Sequence, residues 1–271
     1  MRYVTLIFCL VVQPLSAQTF LQNGKKTEPL NIHFSPPEGF SRVKLPPGSF
    51  GAWLRKMPIL KKRGPVRDYR GRIFKTREDS AVAAVAACDI SGRSLDQCMD
   101  ILMRFYSAWL KENGRLDALA LALPDGTMLG FSDWKKGIRP FFKGLHFQLK
   151  QTARIQKTNI LNAYLNTIFE WTGTQAFYHF YKTVPLDSLQ PGDFIIKKGR
   201  KGHAVLIADL VSDAQGNKLA LIGQGDTPAC AFYFLQNSAE SPWIRVSPES
   251  AFPRLPIRKK MYWTGLRRFA P

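Results

Sequence analysis

The sequence predicts an α+β fold in which helices precede an antiparallel sheet. Three observations carry this. Leu95, Cys98, Met99, Leu102, Phe105, Tyr106 and Trp109 recur at helical spacing. Four strand-like runs follow later, at 194–198, 204–211, 218–223 and 231–235, with "DAQGN" as a turn between the second and third. A chain of 271 residues with 45% hydrophobic content can bury a sizeable core, which argues against disorder.

The elements follow in order. Residues 1–17, "MRYVTLIFCLVVQPLSA", have a basic start at Arg2, an apolar run too short to span a bilayer, and a small-residue site ending at Ala17. This predicts a secretory signal cleaved before Gln18, and no later stretch has transmembrane length. Residues 18–32 read as an extended arm, 33–268 as a single α+β domain and 269–271 as a tail. Ser49 caps a short helix, "FGAWLRK", which Pro58 stops. "GPVRDYRGRIF" reads as a hairpin and "SAVAAVAACDI" as a buried strand, although its alanines also permit helix. Ser94 with Gln97 matches a capping box for the helix that Asn113-Gly114 ends. "LDALALALPDGTMLGFSDW" reads as a hairpin turning at Asp125-Gly126. A second helix spans about Asn159 to Lys182, interrupted near Gly173, and "MYWTGLRRF" closes the sheet.

Charge and cysteine usage narrow the partners. The formal net charge is +19, and loss of the signal removes Arg2 and no acid, leaving +18. Such an excess favours polyanions. After export these are cell-wall or outer-envelope polymers and, peripherally, a membrane surface. Nucleic acid is not favoured, because no recognition motif accompanies the charge. In "KKGRKG", Lys197, Lys198, Arg200 and Lys201 are candidate anion-binding residues, and "RLPIRKK" is a second cluster. Cys88, Cys98 and Cys230 remain after cleavage, an odd number that excludes a disulfide scaffold. Cys88 and Cys230 either pair or stand alone. No His or Cys spacing suggests a metal, and no cofactor is implied.

Two resemblances follow from quoted segments. "PPEGFSRV", "SFGAWLRKMPI", "SLDQCMDILMRFYSAWL", "FSDWKKGIRP", "LNAYLNTIFEWTGTQAF", "PGDFIIKKGRKGHAVLIADL" and "SPW" occur in that order. Over most of the mature chain this resembles the bacterial family called domain of unknown function four-eight-four-six, which carries no assigned activity. The segment "LQPGDFII…GHAVLIADL…GNKLALIGQG" is similar to the second half of NlpC/P60 and CHAP cell-wall peptidases. That likeness implies a papain-like core with His203 as the base, Gln224 as the residue orienting its ring, and Asp193 as the structural acid of a turn with Gly192. Gly202 precedes the histidine. It also implies a cysteine at the start of the helix before the Gly-Asp turn. The matching helix offers Asn159, Leu161 and Asn162 there and no cysteine.

Cys98 is the substitute nucleophile, expected as the fourth residue of a helix capped by Ser94, with Asp100 close enough to raise its pKa. Its other reading is a buried core thiol. Asp209 and Asp226 are available to support His203, with a mid-strand Asp209 expected to face solvent. Asp133 and Trp134 suit a sugar or phosphate contact, or equally a core anchor. Two function classes follow. One is a cysteine hydrolase or transferase acting on amide bonds of the cell wall, through Cys98, His203 and Gln224. The other is a catalytically silent module that binds an anionic envelope polymer.

Overall fold

The computed structural model describes residues 21–22, 24, 26–152, 159–237 and 241–269. The expected signal and its cleavage site lie outside the described residues. In the first third the chain forms β1 (Thr27–Pro29), α1 (Leu30–His33), β2 (Ser41–Arg42), α2 (Phe50–Leu54), β3 (Pro58–Leu60), β4 (Val66–Arg67), β5 (Ile73–Lys75) and β6 (Val82–Val85). Ser49 Oγ accepts the Ala52 amide at 3.3 Å, which starts α2 where the sequence placed it. β4 and β5 pair as the expected hairpin.

The middle third forms α3 (Cys98–Glu112), β7 (Ala120–Ala122), β8 (Met128–Gly130), α4 (Phe131–Lys135), β9 (Ile138–Lys143), β10 (His146–Gln151), α5 (Ile160–Trp171) and α6 (Thr174–Phe180). The last third forms β11 (Lys182–Thr183), β12 (Phe194–Lys197), β13 (His203–Ser212), β14 (Lys218–Gln224), β15 (Tyr233–Leu235), β16 (Trp243–Val246) and β17 (Leu266–Arg268).

Nine strands make one antiparallel sheet in the order β11-β17-β12-β13-β14-β15-β6, with β16 beside β14 and β2 beside β13. The α+β class holds, but helices do not simply precede the sheet. β2 and β6 come before α3 in the chain and still join it. Pairing brings together segments far apart in sequence, and no local pattern specifies that.

Strand alternation sets the two faces. Phe194 pairs with Leu206 and Ile196 with Ala204, and these pack with Phe105, Phe232 and Phe234 under α3. Ile195 pairs with Val205, and these pack with Ile222 and Leu235 on the other face. Each fully buried Leu, Ile, Val or Phe contributes on the order of 1.5–3 kcal/mol, so a sheet covered on both sides is a rigid base for a site.

Two terminal segments pack on the domain. The expected arm is packed on the domain: Leu21 bridges to Cys88, β1 pairs with β3, and Leu30 is fully buried. The expected tail begins at Phe269, which is itself buried against Tyr106 and Phe194. In both places apolar side chains had core to cover.

Candidate functional site

Cys98 is the first residue of α3, and Gln97 is its N-cap. Ser94 does not cap it. The carboxylate of Asp96 is held by Arg104 at 2.6 Å, so the chain turns through Ser94–Asp96 before the helix starts. Asp100 Oδ2 accepts the Gln97 amide at 3.0 Å, the carboxylate half of a capping box shifted three residues from the expected one. The shift matters chemically. The thiol sits on the first turn, where the amides of a helix lack intrahelical acceptors and the dipole is strongest.

His203 opens β13 and Gln224 closes β14. His203 Nε2 lies 2.7 Å from Gln224 Oε1. Gln224 Nε2 donates to Tyr233 Oη at 2.5 Å, which fixes the amide with its oxygen toward the ring. An amide oxygen only accepts, so Nε2 carries the proton and Nδ1 is a bare acceptor. Nδ1 is buried and has no hydrogen-bond partner among the described residues.

The end of α3 is brought against these strands by a close approach at Gly225. A Cβ there would lie 3.0 Å from Ile101 and 3.7 Å from the Cα of Cys98. The backbone of Ala204, the residue after His203, pulls the pKa of Cys98 down. Gln224 thus bonds His203, and its neighbour Gly225 packs on the start of α3 at Cys98, while no hydrogen bond joins His203 Nδ1 to the Cys98 thiol among the described residues.

The electrostatics describe a neutral resting pair. Burial, aided by Asp100, pushes the Cys98 thiol up to about 11, against the pull of the Ala204 backbone and the Lys259 charge. Burial likewise holds His203 below the ordinary histidine value, the Gln224 hydrogen bond opposing and Lys259 and Lys197 reinforcing. Asp100 is itself raised well above the carboxylate range, by burial first. Lys259 and Asp226 act on both Cys98 and His203, as expected for groups in one place.

Two clefts meet here. One, of about 610 Å³, contains Cys98, Trp171, Thr174 and the loop Gly199–Gly202. The other, of about 870 Å³, contains His203, Gln224, Asp226 and Tyr233. Thr227 and Lys259 line both. Arg200 and Lys201 rim the thiol side, Lys198 sits 5.1 Å from the Tyr178 ring, and Lys197 faces His203 in register. A third, apolar cleft of about 590 Å³ lies further along α3 between Phe50, Tyr106 and Trp109, and neither Cys98 nor His203 lines it.

With this geometry in hand, one comparison is informative. The model of the family described as domain of unknown function (4846) matches residues 30–256. The chain belongs to that family. No curated protein and no solved structure matches the chain. The match spans Cys98, His203 and Gln224 together, so the whole arrangement lies inside the family region.

The remaining candidates are structural in this fold. Gly192 adopts φ +100, and Asp193 beside it is buried in a bidentate pair with Arg268, at 2.6 and 2.9 Å. The backbones of Gly192 and Asp193 bond Ile207, which latches the turn onto β13. Burial pushes the Asp193 pKa up, with Arg268 opposing. Gly202 has no room for a Cβ, because Thr174 Oγ1 occupies that space at 2.0 Å.

Asp209 does not face solvent. It is fully buried between Arg42 and Arg55, at a register shift of β13. Trp134 is a core anchor, with Arg139 3.5 Å over its ring. Among the described residues all three cysteines are free thiols, so Cys88 and Cys230 stand unpaired.

The helix that the peptidase likeness pointed to is α5. There Asn159 is an N-cap and Asn162 accepts from Arg104 at 3.1 Å. The thiol helix is α3, and residues 113–191 intervene before the Gly-Asp turn. Tyr233, Thr227 and Lys259 were missed as site residues. Tyr233 reads as core in "AFYFL", and Lys259 is one charge in a basic run. The spacing of Gln224, Asp226 and Thr227 in "QGDTP" was the available signal.

Proposed function

We propose that this chain is an exported bacterial envelope protein with a papain-like, NlpC/P60-like core. It acts as a cysteine hydrolase or transferase on amide bonds of the cell wall. One observation carries the reading. His203 is held by Gln224 through one nitrogen and keeps a buried acceptor at the other, in a cleft that shares Thr227 and Lys259 with the cleft of a thiol heading a helix. A buried polar atom without a partner calls for an explanation, and a role in chemistry is one.

The chemistry follows from these positions. The Cys98 sulfur attacks the amide carbonyl carbon as its proton passes to Nδ1 of His203. First-turn amides of α3 supply donors for the oxyanion. His203 returns the proton to the amine nitrogen as the C–N bond breaks, leaving a thioester on Cys98. Water, or an acceptor amine in a transferase, then attacks the thioester and gives its proton to His203, and the thiol is restored. Tyr233 and Gln224 hold the ring. Arg200, Lys201 and Lys259 suit an anionic polymer in the cleft.

A catalytically silent binding module is the second reading, and one observation favours it: Cys98 is only 7% exposed and its thiol is pushed up to about 11. Turnover of cell-wall peptides by the full chain separates the two. Cys98→Ser and His203→Ala should each lower kcat at least about a thousandfold, with the fold intact by circular dichroism. Gln224→Ala should cost less, since it sets only ring position. Native iodoacetamide labelling located by mass spectrometry should modify Cys98 before Cys88, which burial pushes up to about 12, and before Cys230, pushed higher still. No turnover together with an inert Cys98 leaves the binding module. Export is tested by N-terminal sequencing of envelope protein, which should begin at Gln18.

A further inference from the structure

The β9–β10 hairpin presents an apolar surface that the fold does not cover. Phe142 is 54% exposed, Leu145 at the turn 84%, and Phe141 and Leu149 are also exposed. Register puts Phe142 opposite Phe147 and Leu149 opposite Pro140, so one face of the hairpin is apolar along its length. The other face carries Lys143, His146, Gln148 and Lys150, and Lys150 Nζ lies 5.6 Å from the Phe141 ring. Residues 138–151 contain no acid.

The hairpin is anchored at its base. Phe147 is buried, and its amide donates to Asp125 Oδ2 at 2.6 Å. Its ring and that of Phe142 lie 5.2 and 6.0 Å from the Trp171 ring. Trp171 is half exposed and extends the apolar surface to the rim of the Cys98 cleft. The exposed aromatics are therefore held in place, and their exposure is a property of the fold.

We propose that this hairpin is a membrane-docking element that seats Phe142, Leu145 and Trp171 in the interface of an anionic lipid bilayer. The order of side chains fits that solvent. The most exposed apolar residue stands at the extremity, aromatics stand behind it, and lysines on the opposite face reach lipid phosphates with their ammonium ends. The charge is complementary: the hairpin is basic without acids, on a chain of net charge +19. A contiguous apolar patch of this kind marks an interaction surface rather than scattered exposed residues. Among the described residues no helix is long and apolar enough to cross a membrane. Docking in this way holds the mouth of the Cys98 cleft at the lipid surface. The inference stands whether or not Cys98 is catalytic.

Co-sedimentation of the full chain with phosphatidylglycerol–phosphatidylcholine vesicles tests it, against pure phosphatidylcholine vesicles. Wild type should bind the anionic vesicles and keep part of that binding in high salt. Phe142→Ser with Leu145→Ser, and Leu145→Ser alone, should lower binding, the double variant at least tenfold, with unchanged thermal melts. Lys143→Glu with Lys150→Glu should weaken only the salt-sensitive part. Undiminished binding by the serine variants would overturn the proposal, as would wild-type binding that salt abolishes entirely. So would sedimentation velocity showing a wild-type dimer that the serine variants lose, which would assign the patch to a second copy of the chain.

Discussion

Strand β13 carries two buried polar side chains, and they are finished differently. Asp209 has both oxygens occupied: Arg42 donates to one at 2.7 Å, Arg55 to the other at 2.8 Å, and its neighbour's amide adds a third bond. His203, at the start of the same strand, has one nitrogen held and the other empty at a cleft. Burial is the same for both, so burial does not distinguish structure from function. Satisfaction does. A buried group with every valence met ties elements together, and Asp209 ties the N-terminal segment of β2 and α2 to the sheet. A buried group with a valence to spare is free for an incoming atom.

Substitution at the two positions should therefore separate stability from chemistry. Asp209→Ala leaves two arginines without their anion and should lower unfolding stability by about 3–5 kcal/mol in urea denaturation. Thiol labelling at Cys98 in the surviving folded protein should not change. His203→Ala should cost about 1–3 kcal/mol, from the Gln224 oxygen left unpaired, while removing turnover. Equal stability losses, with turnover unaffected by His203→Ala, would erase the distinction.

A smaller effect sharpens the same comparison one layer further out. Tyr233 reaches the ring only through Gln224. Tyr233→Phe keeps the packing and removes one hydrogen bond, worth about 1 kcal/mol. Turnover should fall by less than in Gln224→Ala, and its pH profile should move, because the amide is no longer locked with its oxygen toward His203. A loss of stability with an unmoved profile would make Tyr233 a packing residue.

The comparison also explains what was legible in the sequence. The apolar spacing of Cys98 to Trp109, the strands flanking Gly202-His203 and the end of β14 at Gln224 are local patterns, and the elements lie there. The helix start was not local. Ser94 is a good cap by type, but Asp96 in the same turn is claimed by Arg104 eight residues on, and that moves the start to Cys98. Asp209 looked like a solvent-facing strand residue because its partners, Arg42 and Arg55, lie more than 150 positions away. The β9–β10 hairpin went unread because the consecutive Pro140, Phe141 and Phe142 interrupt the alternation along β9 that reveals a strand. Local chemistry thus pointed to His203 and Gln224, which share a hydrogen bond at 2.7 Å, and to a cysteine that heads α3. What encloses them, Thr227, Lys259 and Tyr233, comes from tertiary approach.

The smallest expected effect concerns protons. Burial holds His203 below its ordinary value, so the folded chain resists the proton that the unfolded chain accepts. As pH falls through about 6.5, the unfolded state binds more protons at this position, and stability falls with it, by at most about 1.4 kcal/mol per pH unit. Asp96, Asp100 and Asp193 are shifted upward by burial, so protonating them favours the folded state as pH falls. They are common to a His203→Gln variant, so the difference between wild type and variant isolates the histidine. Urea unfolding from pH 7.5 to 5 should show the wild type losing ground to the variant below about pH 6.5. A constant difference across that range would mean that His203 titrates alike in both states. The neutral, acceptor-bearing ring on which the site depends would then not be the resting form.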